Sequence, residues 1–382
     1  MTDRTVSKQI CHIVGDSKYG GGSKIITRLA EAGRDAGHEV CILATDPTFC
    51  GYVEGRGLST VKLDCIRRPI NPVRDFHGVR LLQKHLEYAR YDIVHTHTSK
   101  AGFLGRLAAR RAGVPRIIHT VHGFAFHEGT ARPALFAYSQ IERLAAYWCD
   151  CMVTVSDFHR DWALELGIGH DDKLVSIPNG IIEPDGCSSE SYSRIRSEFN
   201  IQPEQHLILS AGRLATGKGL EDLLAAVAHM REQGEQGLRV LLPGTGPLAS
   251  KLDSEVERLG LSDVVKFPGF RTDVGALLAA ADLVVLPSHR EGLSIALLEA
   301  MASRRPIVAT AIGSNLEATN NGESARIVPP GDPSRLAEAI IDILNDPHEA
   351  ERLALISRSI WEERYTEKRM LNKYLRLYDG EC

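Results

Sequence analysis

HLILSAGRLATGKGLEDLLAAVAHMREQGEQGLRVLLP, residues 206–243, holds one complete repeat of the fold. An apolar run (206–212) leads into a loop with Arg213 and Lys218, an amphipathic helix (218–233), and a second apolar run at 238–243. Apolar strands without polar alternation, joined through a helix, belong to a parallel sheet covered on both faces. Downstream, strands near 264–267, 282–287, 306–310 and 325–329 alternate with helices near 247–260, 273–280, 293–303 and 333–345. Upstream lies a polar stretch, EPDGCSSESYSRIRSEFNIQPE (183–204), which reads as a linker with a short helix. Before it the alternation recurs. Strands near 8–14, 39–45, 60–65, 92–97, 116–122, 151–156 and 173–178 are separated by helices near 22–37, 79–90, 100–113, 133–147 and 157–166. The expected architecture is α/β, with two doubly wound Rossmann-like domains facing across a cleft. Ligands of such sheets lie beyond the carboxyl ends of the strands, where the strand order reverses. Two helical segments, 347–362 and 366–379, close the chain.

The bulk numbers fit this reading. The chain has 382 residues, 43% apolar and 25% charged, and a formal net charge of -4. That balance gives no general affinity for nucleic acid. Eight cysteines include no C-x-x-C pair, and they read as reduced core residues. No signal peptide and no apolar run of about 20 residues is visible, so the expected location is cytoplasmic.

Four groups of residues could do chemistry. The segment GDSKYGGGSK (15–24) sets Gly20, Gly21 and Gly22 at the start of a helix, where a ligand could approach the backbone; a tight turn without a ligand reads equally well. Arg213 and Lys218 follow a strand, and a planar fork beside a point charge suits a diphosphate. Glu291 and Glu299 are eight residues apart in LPSHREGLSIALLEAMASRRPIVAT (286–310). Glu299 falls within an apolar helix, where a carboxylate needs hydrogen-bond donors, and a ribose diol offers two. The last group is a basic, histidine-rich region with His95, His97, His119, His122 and His127. Its helix 100–113 reads as a solvated face or as a surface for anionic lipid through residues 100–116. Clustered histidines raise metal binding, but the pairs sit on different strands without a carboxylate, so they read as ordinary strand residues.

The order Gly-rich loop, HTVHG, PNG, GRL-x-x-x-KG, PGTGP and E-x7-E resembles glycosyltransferase family 4, retaining enzymes of the GT-B fold, over essentially the whole chain. The resemblance implies roles for single residues. Arg213 and Lys218 match the diphosphate pair, Glu291 the contact to donor-sugar hydroxyls, and Glu299 the ribose contact. Backbone amides near Gly292, Leu293 and Ser294 match donor contacts, and His122 the histidine beside the donor sugar. Gly21 and Gly22 match the loop near the phosphates, while Phe270 and Arg271 match the region lining the base. PNGIIEP in place of PNGVD, and AIGSNLEA with Gly313 and Glu317, depart from the pattern. The implied domains are an acceptor-binding domain (1–185), a linker (186–204), a nucleotide-sugar domain (205–360) and a tail (361–382) crossing back to the first domain.

The segment 95–128 is similar to that of enzymes building bacterial surface polysaccharides. This implies a nucleotide-linked donor, with UDP the usual base and GDP the alternative, a polyprenyl-diphosphate-linked acceptor, and peripheral contact with the inner face of the cytoplasmic membrane. No D-x-D motif occurs, so no metal and no other cofactor is expected. Three rival readings are a GT-B sugar-nucleotide epimerase, a transferase with a small soluble acceptor, and a non-catalytic nucleotide-binding protein.

Overall fold

The computed structural model describes residues 7–15, 20–67 and 69–381. The chain divides into two compact units, one of Met1–Asn179 with Lys368–Cys382, the other of Gly180–Glu367. The first unit holds β1 (Gln9–Gly15), β2 (Glu39–Ala44), β3 (Ser59–Val61), β4 (Ile93–His97), β5 (Arg116–Val121), β6 (Cys151–Thr154) and β7 (Leu174–Ser176). Their order in the sheet is β3-β2-β1-β4-β5-β6-β7, every pair parallel. The second unit holds β8 (His206–Leu209), β9 (Leu238–Leu241), β10 (Val265–Lys266), β11 (Leu283–Leu286), β12 (Ile307–Thr310) and β13 (Arg326–Val328). Their order is β10-β9-β8-β11-β12-β13, again all parallel. Each sheet is doubly wound, and its order reverses between β1 and β4 or between β8 and β11.

Helices on both faces bury nearly every central-strand side chain, polar ones included. All five residues of β4 are buried, and His95, Thr96 and His97 have no exposed surface. The core of the second unit gathers Leu223, Leu224 and Val227 of the helix Leu220–Glu232 against Ile208, Val240 and Leu283.

The unit boundaries differ from the expected ones. The first crossing falls at 179/180 rather than 185, and the second at 367/368 rather than 361. Backbone pairing explains both: Ile181 N–H donates to Tyr365 O (3.0 Å), and Glu367 N–H donates to Ile181 O (2.9 Å). The expected linker also belongs to the second unit, because its helix Ser189–Glu198 packs on the helix Val274–Ala280. Of the final helices, Pro347–Arg364 stays with the second unit. Glu367–Asp379 lies almost wholly in the first, where Tyr374 and Tyr378 are buried. Two helix starts differ as well. Pro72–Ala89 begins seven residues before the expected 79, and Pro47–Glu54 was not expected. Both open with Pro behind a side-chain cap, Asn71 accepting from Arg74 N–H (3.1 Å) and Asp46 from Phe49 N–H (2.9 Å).

No helix among the described residues is long and apolar enough to cross a membrane. Cys11, Cys41, Cys50, Cys65, Cys149 and Cys187 are free thiols, whereas Cys151 is disulfide-bonded, a departure from the all-reduced expectation.

Candidate active site

The second unit places Arg213, Lys218 and Glu291 in one pocket at the reversal between β8 and β11, lined also by Ser210, Ser288 and Ser294. Arg213 and Lys218 come from the loop after β8, and Glu291 from the loop after β11. Parallel neighbours put these carboxyl ends side by side. Lys218 Nζ is hydrogen-bonded to Glu291 Oε1, and Ser288 Oγ donates to the same oxygen at 3.0 Å. Ser314 Oγ donates to the Glu291 carbonyl at 3.3 Å, so the segment AIGSNLEA braces the loop. Ser294 caps the helix Ile295–Ala302, accepting from Leu297 N–H at 3.4 Å. Glu299 lies half-buried on that helix, within the span expected for it.

Gly219 holds this loop in shape. Its φ is +64°, and a Cβ there would lie 1.8 Å from the Pro287 carbonyl oxygen, at the end of β11. Backbone of one loop therefore rests directly on backbone of the other. Gly219→Ala is expected to lower unfolding stability by about 2–5 kcal/mol, combining left-handed strain with the clash. Gly331, at φ +75° with nothing within 4 Å of a Cβ, is the control. Gly331→Ala should cost about 1 kcal/mol. Urea midpoints of the two variants compare them, and equal midpoints would refute the contact's role.

In the first unit the histidines converge, against the expectation that their different strands keep them apart. β1, β4 and β5 are neighbours, with His12 opposite His95 and His97 opposite Thr120. His97 Nδ1 lies 3.1 Å from His122 Nε2, and His97 Nε2 lies 3.0 Å from His12 Nδ1. His95 contacts Tyr378 Oη (2.9 Å) and Thr120 Oγ1 (2.8 Å). Burial holds these rings neutral, pushing His12 down to about 3 and His122 to about 4, with His95 and His97 also well below their ordinary value. Ring nitrogens of His12, His95 and His97 lie within 4.8 Å of one another, a grouping that could take a metal ion. Each of those nitrogens already has a hydrogen-bond partner, so the cluster stands as a hydrogen-bonded chain. His119 faces the other side of the sheet, against Gly102, where a Cβ would meet its ring at 2.3 Å. His12, Tyr374 and Tyr378 were not singled out by the sequence.

The two halves of the chain match separate family models: "Glycosyl transferase 4-like domain" over residues 20–180 and "Glycosyl transferases group 1" over 191–359. The chain belongs to glycosyltransferase family 4. Among relatives of this glycosyltransferase, EpsD of Bacillus subtilis strain 168 is 28% identical over 91% of this chain and 90% of its own. The Escherichia coli UDP-Gal:alpha-D-GlcNAc-diphosphoundecaprenol alpha-1,3-galactosyltransferase is 28% identical over 73% of both chains. In structure, Anabaena Alr3699/HepE, solved with UDP and glucose, superposes with a TM-score of 0.83 over 98% of this chain and 100% of its own, at 21% identity. The fold is GT-B.

Other expected site residues of the glycosyltransferase are placed as follows. Gly21 and Gly22 open the helix Gly21–Asp35 behind Gly20, and a Cβ at Gly20 or Gly22 would meet nothing within 4 Å. Packing among the described residues therefore does not require glycine at either position. Residues 16–19 of that loop, and Cys382, lie outside the described residues. Gly292 and Leu293 are buried behind Glu291. Phe270 is 52% exposed. Arg271 next to it is engaged by Asp273 (2.8 Å) and by Glu198 of the former linker. Its guanidinium ties that helix to the sheet edge, leaving Phe270 as the exposed flat surface there.

The basic stretch 100–116 is not a continuous cationic face. Lys100 pairs with Asp75 at 2.7 Å, and Arg116 donates to the Glu381 carbonyl at 2.9 Å. Arg106 is fully buried, pairing with Glu142 at 2.9 Å. Only Arg110 and Arg111 of the five cations face solvent as exposed residues.

Proposed function

We propose that this glycosyltransferase moves a hexosyl or N-acetylhexosaminyl unit, with retention, from a UDP-sugar to a glycan carried on a polyprenyl diphosphate, in bacterial polysaccharide synthesis. The observation that carries the reading is the Lys218–Glu291 pair beside Arg213 at the reversal between β8 and β11. A diphosphate entering there competes for Lys218 and releases a Glu291 oxygen to accept from sugar hydroxyls. Arg213 and Lys218 then stabilise the charge that grows as the diphosphate leaves. Glu299 accepts from the ribose, and Phe270 offers a face to the base. No carboxylate reads as a covalent nucleophile. Retention is accounted for by attack on the face from which the diphosphate departs, the leaving phosphate oxygen taking the acceptor's proton. In this scheme Arg213 and Lys218 supply the positive charge at the diphosphate, and no metal or other cofactor enters.

A relative whose name specifies UDP-Gal and a diphosphoundecaprenol-linked sugar supports both substrates. The expected result is transfer from a UDP-sugar to a polyprenyl-diphosphate-linked saccharide in EDTA, with the donor's anomeric configuration kept in the product by NMR. Inversion, or activity that EDTA abolishes, would sink this scheme. Release of free sugar nucleotide epimer without acceptor would point to the epimerase instead.

A lipid-carried acceptor calls for contact with the inner face of the cytoplasmic membrane. With Lys100, Arg106 and Arg116 committed inside the fold, the helices Pro72–Ala89 and Arg132–Ala146 are the better surface. Phe76 and Tyr88 are exposed beside Arg80 and Lys84 on the first helix, and Phe136 and Leu144 on the second. Apolar and basic side chains together suit an anionic interface. Co-sedimentation with anionic vesicles should occur and weaken in the double variant Phe76→Ser, Tyr88→Ser; equal sedimentation would remove this surface from the account.

A further inference from the structure

Seven polar groups of the first unit stand in single file. From Tyr374 Oη the steps run to Thr120 Oγ1 (3.1 Å), His95 Nε2 (2.8 Å), and from His95 Nδ1 to Tyr378 Oη (2.9 Å). They continue from Tyr378 Oη to His12 Nε2 (3.5 Å), from His12 Nδ1 to His97 Nε2 (3.0 Å), and from His97 Nδ1 to His122 Nε2 (3.1 Å). The Tyr378–His12 step is the weakest. Every member between the ends is a hydroxyl or a neutral imidazole, with one hydrogen to give. Each imidazole therefore donates to one neighbour and accepts from the other; a hydroxyl could accept from both, but Thr120 and Tyr378 are buried and their own hydrogens would then go unpaired, so the whole file has one polarity.

The buried end decides which. Tyr374 is buried, and Thr120 is the one partner of its hydroxyl among the described residues. Were Thr120 the donor, the phenolic hydrogen would meet no acceptor, the costlier arrangement for a buried group. Tyr374 therefore donates, and the sense is carried to the other end. His97 Nδ1–H donates to His122 Nε2, and the hydrogen of His122 sits on Nδ1. That nitrogen makes no hydrogen bond among the described residues, and His122 is half-buried at the carboxyl end of β5.

We propose that this file, running from the C-terminal helix through His12 and His97, fixes His122 as its Nδ1–H tautomer, so that His122 meets substrate as a hydrogen-bond donor and not as a base. His97 and His12 are positioning residues. The inference rests on reading His122 as a site residue. It adds which atom of substrate His122 can serve: an oxygen that gains electron density, not a hydroxyl that must lose its proton. Burial, which keeps the ring neutral, agrees with this.

Nitrogen-15 spectra of histidine-labelled enzyme test it, with the His122 signals assigned by their loss in His122→Gln. At pH 7.5, Nδ1 of His122 should be protonated and Nε2 bare. A bare Nδ1, or two protonated nitrogens, would overturn the proposal. So would a change in the His12 and His97 signals on adding EDTA, which would mark a metal site. His97→Phe keeps a ring but removes the link: His122 should then populate both tautomers and turnover should fall about 2- to 10-fold, as one net hydrogen bond supports. His97→Asn sets an amide N–H near the place of Nδ1–H and should restore both. Wild-type tautomer and turnover in His97→Phe, with both lost in His97→Asn, would show that His97 only fills space and would overturn the proposal. The tautomer readout needs neither donor nor acceptor, so it stands apart from any failure of the transferase reading.

Discussion

Lys218→Ala is expected to lower turnover about 10²–10³-fold while the protein stays folded. The side chain is 31% exposed and its Glu291 partner 14%, so the ion pair itself adds less than about 1 kcal/mol to stability. Its larger role comes with the ligand. As the sugar–phosphate bond breaks, charge accumulates on the diphosphate, and a cation already fixed beside it stabilises the transition state more than the bound donor. The loss should therefore fall on kcat more than on donor affinity. Lys218→Arg keeps the charge but replaces a point charge with a fork, and it should recover part of the rate. Steady-state kinetics with a UDP-sugar decide. Turnover within threefold of wild type in Lys218→Ala would remove Lys218 from the chemistry.

The first unit should unfold in mild acid. Burial depresses His12 to about 3 and His122 and His159 to about 4, and His95, His97 and His119 lie well below the ordinary value. Such a ring is neutral in the fold and takes up a proton on unfolding, so between its native value and about 6.5 the unfolded chain binds more protons. Stability is complete above about pH 6.5 and falls as the pH drops toward the native values. Each ring contributes about 1.4 kcal/mol per pH unit through that window. Between pH 6.5 and 5 that is roughly 2 kcal/mol for each of His12, His122 and His159, together about 6 kcal/mol against the roughly 5–15 kcal/mol of an ordinary domain, and His95, His97 and His119 act in the same direction. Thermal scans from pH 7.5 to 5 should show a steep fall in Tm, with the first unit becoming protease-sensitive first. A Tm constant to within about two degrees across that range would mean that the rings are hydrated in solution.

Much of the fold was legible because parallel sheets write long apolar runs, and the segment 206–243 shows strand, helix and strand in turn. The placement of Lys218 and Glu291 in one site was legible too, though not their ion pair. Both follow strand ends in a doubly wound sheet, and the only further requirement is that β8 and β11 be neighbours. The histidine file was not legible, because it depends on sheet order: residues of β1, β4 and β5 meet only once β4 is known to lie between the other two. Tyr374 and Tyr378 read as one face of an amphipathic helix, with nothing in their spacing to say what that face covers. Arg106 was hidden in a basic run, since its partner Glu142 lies 36 residues away on another helix. The missed starts at Pro47 and Pro72 were readable, each being Asp-Pro or Asn-Pro, a cap followed by a residue suited to the first helical turn.

Nucleotide binding by the intact protein is the most direct test of the central claim, that the pocket beyond β8 and β11 takes a nucleoside diphosphate through Arg213 and Lys218. Thermal unfolding with UDP, UMP and uridine, all in EDTA, measures it. At about 100 times its dissociation constant a ligand adds about 2.7 kcal/mol. Tm should rise by several degrees with UDP, less with UMP and little with uridine, and the UDP effect should be lost in Lys218→Ala. Equal shifts with UDP and uridine, or none with any of the three in folded protein, would contradict it.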